Sequence, residues 1–418
     1  MNLKKTPLLR NERGQAVLMT ALILIALLAM AGLAVDAGRF FVVRAQLAKA
    51  VDGAALAGAR VLPSGQNNAQ QAALGVADMN FGLGFMNTTS RNFSTQFEES
   101  EDEAKILVSG TAVLPTTLLR VVGVDQSTVT ASAEAERRPL SIALVLDNSW
   151  SLDPEFTGGI DAIGYLRTAG VNFVQYFDDT MDKMSLTRFS TGTVLSFALN
   201  HNFRTPITAA ISSMAPVANT NLSDGAVIGR QQLQTDTNPA SFRALVYFTD
   251  GRPTALRAVY NANIGQVDAV LICDQDPNGN VSSQLFRYDQ LHNYMPGVFY
   301  TRSTLPNGLP KTVQNVQATA IAKARNAASA ARDDGITVYT IGLGNPNAPQ
   351  WWIQPDYALL IQMANVPSGF NPITGEEIVN TYYDPSQPEG AYYFVPEAED
   401  LLEVFDRLAQ EIVLRLTE

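Results

Sequence analysis

Residues Ala16–Val35 form an uncharged, mostly apolar run of about 20 residues, the length that crosses a bilayer as a helix. Nothing else restricts the chain as strongly. In hydrocarbon each backbone N–H and C=O must find its partner within the structure that spans, which leaves only helices and closed barrels. Residues 1–14 carry Lys4, Lys5, Arg10 and Arg13 against the single acid Glu12, and a basic flank of this kind stays cytoplasmic. The start of the chain therefore reads as a cytoplasmic basic tail over 1–14 and a transmembrane helix over 15–37, with the remainder outside the inner membrane. A cleaved signal peptide competes with this reading, because AGLAVDA offers small residues to a peptidase. Its apolar region, however, normally runs only about 7–15 residues.

The pattern FFVVRAQLAKAVDGAALAGARV continues the helix, giving a helical extension over 38–62. Its alanines favour helix and allow close helix–helix approach. Two uses stay open: packing onto the domain that follows, or an assembly surface for like helices. Arg13-Gly14 before the apolar run, Val35-Asp36 with Gly38-Arg39 after it, and VDGAALAGAR together resemble the N-terminal segment of the TadE/TadG-like proteins of the Tad (Flp) pilus-assembly system. The resemblance covers roughly the first 60 residues. It implies a protein of the bacterial inner membrane, single-pass, with a periplasmic or extracellular main domain and pilus or secretion components as partners. Pilin-like members cleaved after the glycine carry a glutamate five residues on, where this chain has Met19. An uncleaved anchor follows. The alternative is a processed pilin-like structural subunit that polymerises through its N-terminal helix.

Residues 63–138 read as a small α+β module. A helix is expected up to Met79, then strands at Ser94–Glu98, Ala104–Ala112, Leu118–Val122 and Thr128–Ala135, where alternation suits half-buried strands. Nothing in this module suggests chemistry.

A chain of 418 residues implies two or three domains. Its formal net charge of -11 argues against nucleic acid as a partner. A lone cysteine, Cys273, excludes an internal disulfide and a cysteine-rich zinc site. With only His201 and His292, a multi-histidine metal site or a Ser/His/Asp system has few parts to draw on.

After Arg137-Arg138-Pro139, the stretch Ile142–Leu146 has the β-branched content of a buried parallel strand. It delivers Asp147, with Ser149 and Ser151 following at alternate positions. Ligands of open α/β sheets bind outside the carboxyl ends of the strands, and hard divalent cations such as Mg²⁺ take oxygen ligands of this kind. A crossover helix is expected over Gly158–Phe177, a strand pair at Met184–Ser190 and Thr193–Leu199, a helix over Leu222–Leu233, and a strand Arg243–Phe248 delivering Thr249-Asp250-Gly251. The pattern breaks over 252–311, read as an insertion rich in proline and asparagine with no long periodic run, expected as a small lobe beside the metal site. It resumes with a helix from Thr312 to about Asp334, a strand Thr337–Leu343, a helix Tyr357–Ala364, a strand Tyr392–Val395 and a helix Glu397–Leu416.

The fold class is thus α/β: a transmembrane helix, the small α+β module, then a doubly wound, Rossmann-like domain over 139–418 with one edge strand reversed. This last part resembles the von Willebrand factor type A fold over Leu140–Gly251 and Lys311–Glu418. The resemblance implies a metal-ion-dependent adhesion site of Asp147, Ser149, Ser151, Thr220 and Asp250, holding Mg²⁺ (or Mn²⁺ or Ca²⁺) with one position open for a carboxylate of a protein partner. Trp150 stands where the family has glycine, placing a ring at a rim with Asn148 and Asn221. A second cation candidate, Asp274, Asp276 and Asn278, has the spacing of an EF-hand start, but position twelve is Leu285 instead of glutamate. A plain Asn-Gly turn is the better reading. No nucleophile–base pair emerges, and Ser149 lacks a Gly-x-Ser-x-Gly elbow. The chain is expected to bind rather than catalyse: a membrane-anchored TadG-like pilus-assembly or adhesion protein.

Overall fold

The computed structural model describes residues 12–62, 65–99, 104–155, 157–217, 219–262, 265–272, 284–288, 294–301, 304–344, 355–372 and 374–414. The chain divides into two compact units after Arg137. The candidate cations' residues Asp274, Asp276 and Asn278, with Cys273, lie outside the described residues.

In the first unit one helix, α1 (Glu12–Val61), runs 50 residues, about 75 Å at 1.5 Å per residue. It is long and apolar enough to cross a membrane. Its first half exposes Val17, Leu18, Leu22, Ile25, Leu27 and Leu33, and its second half buries Val43, Leu47, Ala50, Val51, Ala54 and Ala59. That buried stripe packs against α2 (Gln66–Asn80) and an antiparallel sheet of β1 (Ser90–Glu99), β2 (Ala104–Pro115) and β3 (Gln126–Arg137), in the order β1-β2-β3. Ala104, Ile106, Val108, Ala112 and Leu114 alternate along β2 toward the helices, as a sheet with one covered face requires. At Gly58 a Cβ would overlap the Ile106 side chain. Of the two uses open to the alanine stripe, packing within its own unit is the one observed for Ala50, Ala54 and Ala59.

The strand expected at Leu118–Val122 is instead a single 3-10 turn, Leu119–Val122. The cause is Asp36 on α1. Its Oδ1 accepts the Thr117 N–H and its Oδ2 the N–H groups of Leu118 and Leu119, all at 2.9 Å. With those donors taken by a carboxylate, no sheet ladder forms there, and Gly123 at φ 88° closes the turn. Arg39, one helical turn beyond Asp36, reaches the carbonyls of Pro115 at 3.3 Å and Met86 at 3.0 Å and the Thr117 hydroxyl.

The second unit is built on β4 (Leu140–Asp147), all eight residues of which are buried. Next come α3 (Ala162–Gln175), β5 (Lys183–Phe189), β6 (Thr193–Asn200), α4 (Arg204–Ser212), α5 (Leu222–Gln234) and β7 (Phe242–Thr249). A second sheet of β8 (Ala255–Ala262), β9 (Gly265–Ile272), β10 (Gln284–Tyr288) and β11 (Tyr294–Thr301) follows. The chain then returns through α6 (Val313–Asp333), β12 (Thr337–Leu343), α7 (Tyr357–Ala364), the short hairpin β13 (Ser368–Phe370) and β14 (Glu377–Val379), β15 (Ala391–Val395) and α8 (Leu401–Leu414).

The main sheet has the order β15-β12-β7-β4-β5-β6. Every pairing is parallel except β5 with β6. Counted in chain order within this sheet, that is 3-2-1-4-5-6, the doubly wound order. Alternate residues of β4 serve opposite faces. Ile142, Leu144 and Leu146 join Phe173 of α3 and Phe405 and Ile412 of α8, while Ala143 and Val145 join Ala226 of α5 and Ala324 and Ala328 of α6. Each fully buried Leu, Ile or Phe contributes about 1.5–3 kcal/mol, so the sheet is held firmly from both sides.

Within 252–311 the described residues include four strands that the proline and asparagine content does not announce. They form an antiparallel sheet in the order β11-β10-β9-β8. The alternation that marks such strands is blurred in ALRAVYNA and GQVDAVLI by alanines and polar residues, so period alone does not reveal them.

Candidate functional site

Strands β4 and β7 are neighbours with opposite onward connections, so their carboxyl ends flank the point where the strand order reverses, the usual ligand crevice of such sheets. Asp147 ends β4, and Asp250 follows β7 directly. Both carboxyls are buried, and a chain of hydrogen bonds joins them. Asp147 Oδ1 accepts the Ser149 N–H at 2.8 Å. Ser149 Oγ lies 2.8 Å from Ser151 Oγ, which donates to Asp250 Oδ1 at 2.6 Å. Thr249 Oγ1 closes the other end, donating to Asp147 Oδ2 at 2.6 Å and accepting the Gly251 N–H at 3.2 Å.

Burial pushes the Asp147 carboxyl up to about 6, against the pull of hydrogen bonds from Thr249, Ser149 and Asn148. Asp250 is raised well above the ordinary carboxylate value by burial first and by the charge of Asp147 second. No basic side chain acts on either acid among the described residues. Two buried acids with hydroxyl neighbours and no counter-charge form an all-oxygen donor set, and that set fits a hard divalent cation. Among the described residues there is no group of three or more His, Cys, Asp or Glu side chains gathered as a metal cluster; a cation held here would need neutral hydroxyls beside the two acids.

Thr220 enters differently. It is buried in the loop before α5, and its backbone is what the structure ties down. Its N–H donates to Thr254 Oγ1 at 2.9 Å, and its carbonyl accepts the N–H groups of Thr254 at 2.9 Å and Ala255 at 3.1 Å. The residues entering β8 thus clamp the loop that carries Thr220. Two glycines let α5 lie close on the sheet. At Gly225 a Cβ would come within 2.9 Å of the Tyr247 hydroxyl, and at Gly229 within 2.6 Å of Leu245 Cδ1.

The three residues expected at the rim part company. Trp150 is 51% exposed on the 3-10 turn between the two serines. Asn148 is half-buried and works as a staple: its Nδ2 donates to the Ala215 carbonyl at 2.7 Å, and its backbone carbonyl accepts the Val217 N–H at 2.8 Å. Asn221 is fully buried and lines no rim. It caps α5, accepting the Asp224 N–H at 3.4 Å, and its Nδ2 donates to the Thr191 carbonyl at 3.3 Å. Sequence reasoning passed over Thr249, whose only advance signal is a hydroxyl one residue before Asp250. It also passed over Asp224, buried in the first turn of α5 and 3.4 Å from Arg257 on β8.

The doubly wound order with a reversed edge strand, and the Asp-x-Ser-x-Ser loop at its switch point, define a von Willebrand factor type A-like domain. Residues 14–61 match the family described as putative Flp pilus-assembly TadE/G-like. Similar solved structures include the von Willebrand factor domain of a type V pilus tip protein from Porphyromonas gingivalis, at 14% identity and TM-score 0.43, covering 68% of this chain and 97% of that one. The pilus adhesin SpaC from Lactobacillus rhamnosus GG is 14% identical at TM-score 0.41, covering 78% of this chain and 34% of that one. The PilB minor pilin from Streptococcus sanguinis is 17% identical at TM-score 0.43, covering 79% of each chain. No curated protein sequence matches the chain.

Proposed function

We propose that this chain is a membrane-anchored pilus-assembly or adhesion protein that binds partner proteins through a divalent cation held by Asp147, Ser149, Ser151, Thr220 and Asp250. The observation that carries the reading is the unbroken run of contacts from Thr249 through Asp147, Ser149 and Ser151 to Asp250. A Mg²⁺, Mn²⁺ or Ca²⁺ ion bound there supplies a coordination position for a partner's carboxylate. The two acids, ionised, would balance the ion's charge, and the neutral hydroxyls would add no further negative charge to repel an acidic side chain. Trp150, exposed beside it, offers an apolar edge to the same partner. Pilus or secretion components are the partners this placement serves. Helix α1 crosses the inner membrane once with its N-terminus in the cytoplasm, and the type A domain works on the far side. The site binds rather than catalyses: Ser149 and Ser151 are buried and engaged with each other and Asp250, while His201 Nδ1 sits 3.0 Å from the Asp182 carbonyl.

Titration calorimetry with Mg²⁺ and Mn²⁺ tests the cation. Wild-type protein should give binding heat, and Asp147→Ala and Asp250→Ala should remain folded and give none. A silent wild type would end the metal reading. Crosslinking pull-down in Mg²⁺ against chelator tests the partner: equal recovery in both would show that recognition lies elsewhere.

A further inference from the structure

The first unit carries an apolar patch whose height along α1 identifies what covers it. Leu118, Val121 and Val124, in and beside the Leu119–Val122 turn, are all exposed, Val121 at 84%. The turn holding them is pinned. Asp36 takes its three leading N–H groups, the Thr116 N–H donates to the Asp125 carbonyl at 3.1 Å, and the Val124 N–H donates to the Leu119 carbonyl at 3.2 Å. Leu118 lies so close over Gly32 that a Cβ there would meet its side chain. The turn is therefore level with residues 32–36 of α1.

That level has a definite meaning in a bilayer. The apolar run Ala16–Val35 rises about 30 Å, the thickness of the hydrocarbon core. Gly32 lies three residues before its end, about 5 Å inside the core boundary. A side chain packed on Gly32 is at the depth where acyl chains meet headgroups. Leu33 and Val35, on α1 beside Gly32 in the chain, are exposed as well. Arg120 and Asp125, paired at 3.3 Å and well exposed, and Arg39 just beyond supply the charged border. Apolar side chains with basic residues beside them make up an interfacial segment.

We propose that the Leu118–Val124 turn inserts its apolar side chains into the lipid leaflet at the C-terminal end of the span, giving α1 a second, non-helical hold on the membrane. The turn meets α1 on one side only, so lipid contact there fixes the rotation of the helix about its axis as well as its depth. The proposal rests on reading α1 as a membrane span, and the test separates the two.

The full chain with Cys273→Ser is placed in nanodiscs of phosphatidylethanolamine and phosphatidylglycerol and carries one nitroxide label at a time. Labels go at Val121→Cys, at Ile25→Cys in mid-span and at Gln71→Cys on α2. Gln71 lies close to the level of Gly58, whose surroundings include Ala69 and Ala73, about 35 Å beyond the turn. Accessibility to oxygen against a water-soluble nickel chelate is read at each. The Val121 label should show an oxygen-to-nickel ratio at least about threefold above that at Gln71, approaching that at Ile25. A Val121 ratio equal to that at Gln71 would overturn the insertion while leaving the span intact. Shielding from both reagents would put protein there and overturn the lipid assignment. A nickel-accessible Ile25 would overturn the span, and the turn's insertion with it.

Discussion

Ser151 Oγ donates to Asp250 Oδ1 at 2.6 Å although 99 residues separate them in the chain. The contact exists because β4 and β7 are parallel neighbours in register, Leu146 opposite Phe248, so the loops leaving the two strands emerge side by side. Neither acid has a basic partner among the described residues. What holds the pair is a line of hydroxyls, and each hydroxyl has a separable effect.

Thr249 Oγ1 holds Asp147 Oδ2, so in the proposed cation site it would orient that ligand without being one itself. Thr249→Val keeps the shape and removes the donor at 2.6 Å. We expect the affinity for Mn²⁺ to fall about 10- to 100-fold, the usual effect of losing a group that orients a ligand, with a stability loss of about 1 kcal/mol. Calorimetry on the purified variant measures the first and thermal unfolding the second. Unchanged affinity would mean that Asp147 needs no support from β7.

Gly229 sets how near α5 lies to the sheet. A valine there would press on Leu245 Cδ1 at 2.6 Å and Val145 Cγ2 at 2.8 Å, and overpacking of this kind costs about 1–3 kcal/mol. The strain should reach the N-terminal end of α5, where Thr220 is clamped by Thr254. Hydrogen exchange at the Thr220 amide should therefore quicken in Gly229→Val. Exchange unchanged at Thr220, with global stability lowered, would show the clamp to be independent of helix position.

The parts of this molecule that were readable in advance are those where one residue type has one physical use. Ile142–Leu146 is apolar without a break because the strand is covered on both faces, and Asp147 sits where that run stops. Contacts that join distant segments left weaker marks. Asp36 looks in sequence like a charge ending an apolar run, yet its three backbone partners lie more than 80 residues away, and they turn an expected strand into a 3-10 turn. Asn221, expected at the rim, is buried. Its use as a buried helix cap depends on Thr191, which sequence does not place beside it. The sheet from β8 to β11 was hidden because antiparallel pairing is satisfied by backbone groups that any residue but proline supplies.

Asp36 carries the attachment of the Leu119–Val122 turn to α1. Removing its carboxylate in Asp36→Ala leaves three N–H groups without their acceptor, a loss of about 2 kcal/mol locally. At 1.4 kcal/mol per tenfold, the amides of Thr117, Leu118 and Leu119 should exchange roughly 30-fold faster, while amides in the centre of β2 keep their rates. Uniform acceleration across the unit would instead make Asp36 a determinant of the whole fold.

Asp236 offers a test in which the sign of the pH dependence is set by the structure. Burial raises its pKa, but hydrogen bonds from Ser141, Ser241 and Lys183 outweigh burial and leave it below the ordinary value. Ser141 Oγ donates at 2.8 Å and Lys183 Nζ at 3.0 Å. A carboxyl whose pKa is lower folded than unfolded stabilises the fold above the unfolded value of about 3.9, and that contribution is lost as pH falls through the folded value. Asp236→Asn should therefore be less stable than wild type by about 2 kcal/mol at pH 7, by nearly as much at pH near 5, and by progressively less below about pH 4. Hydrogen exchange of core amides in β4 and β5, compared between variant and wild type across that range, reads the gap directly. A gap that stayed constant into acid would mean that Asp236 acts through packing and neutral hydrogen bonds, with its charge and Lys183 contributing nothing.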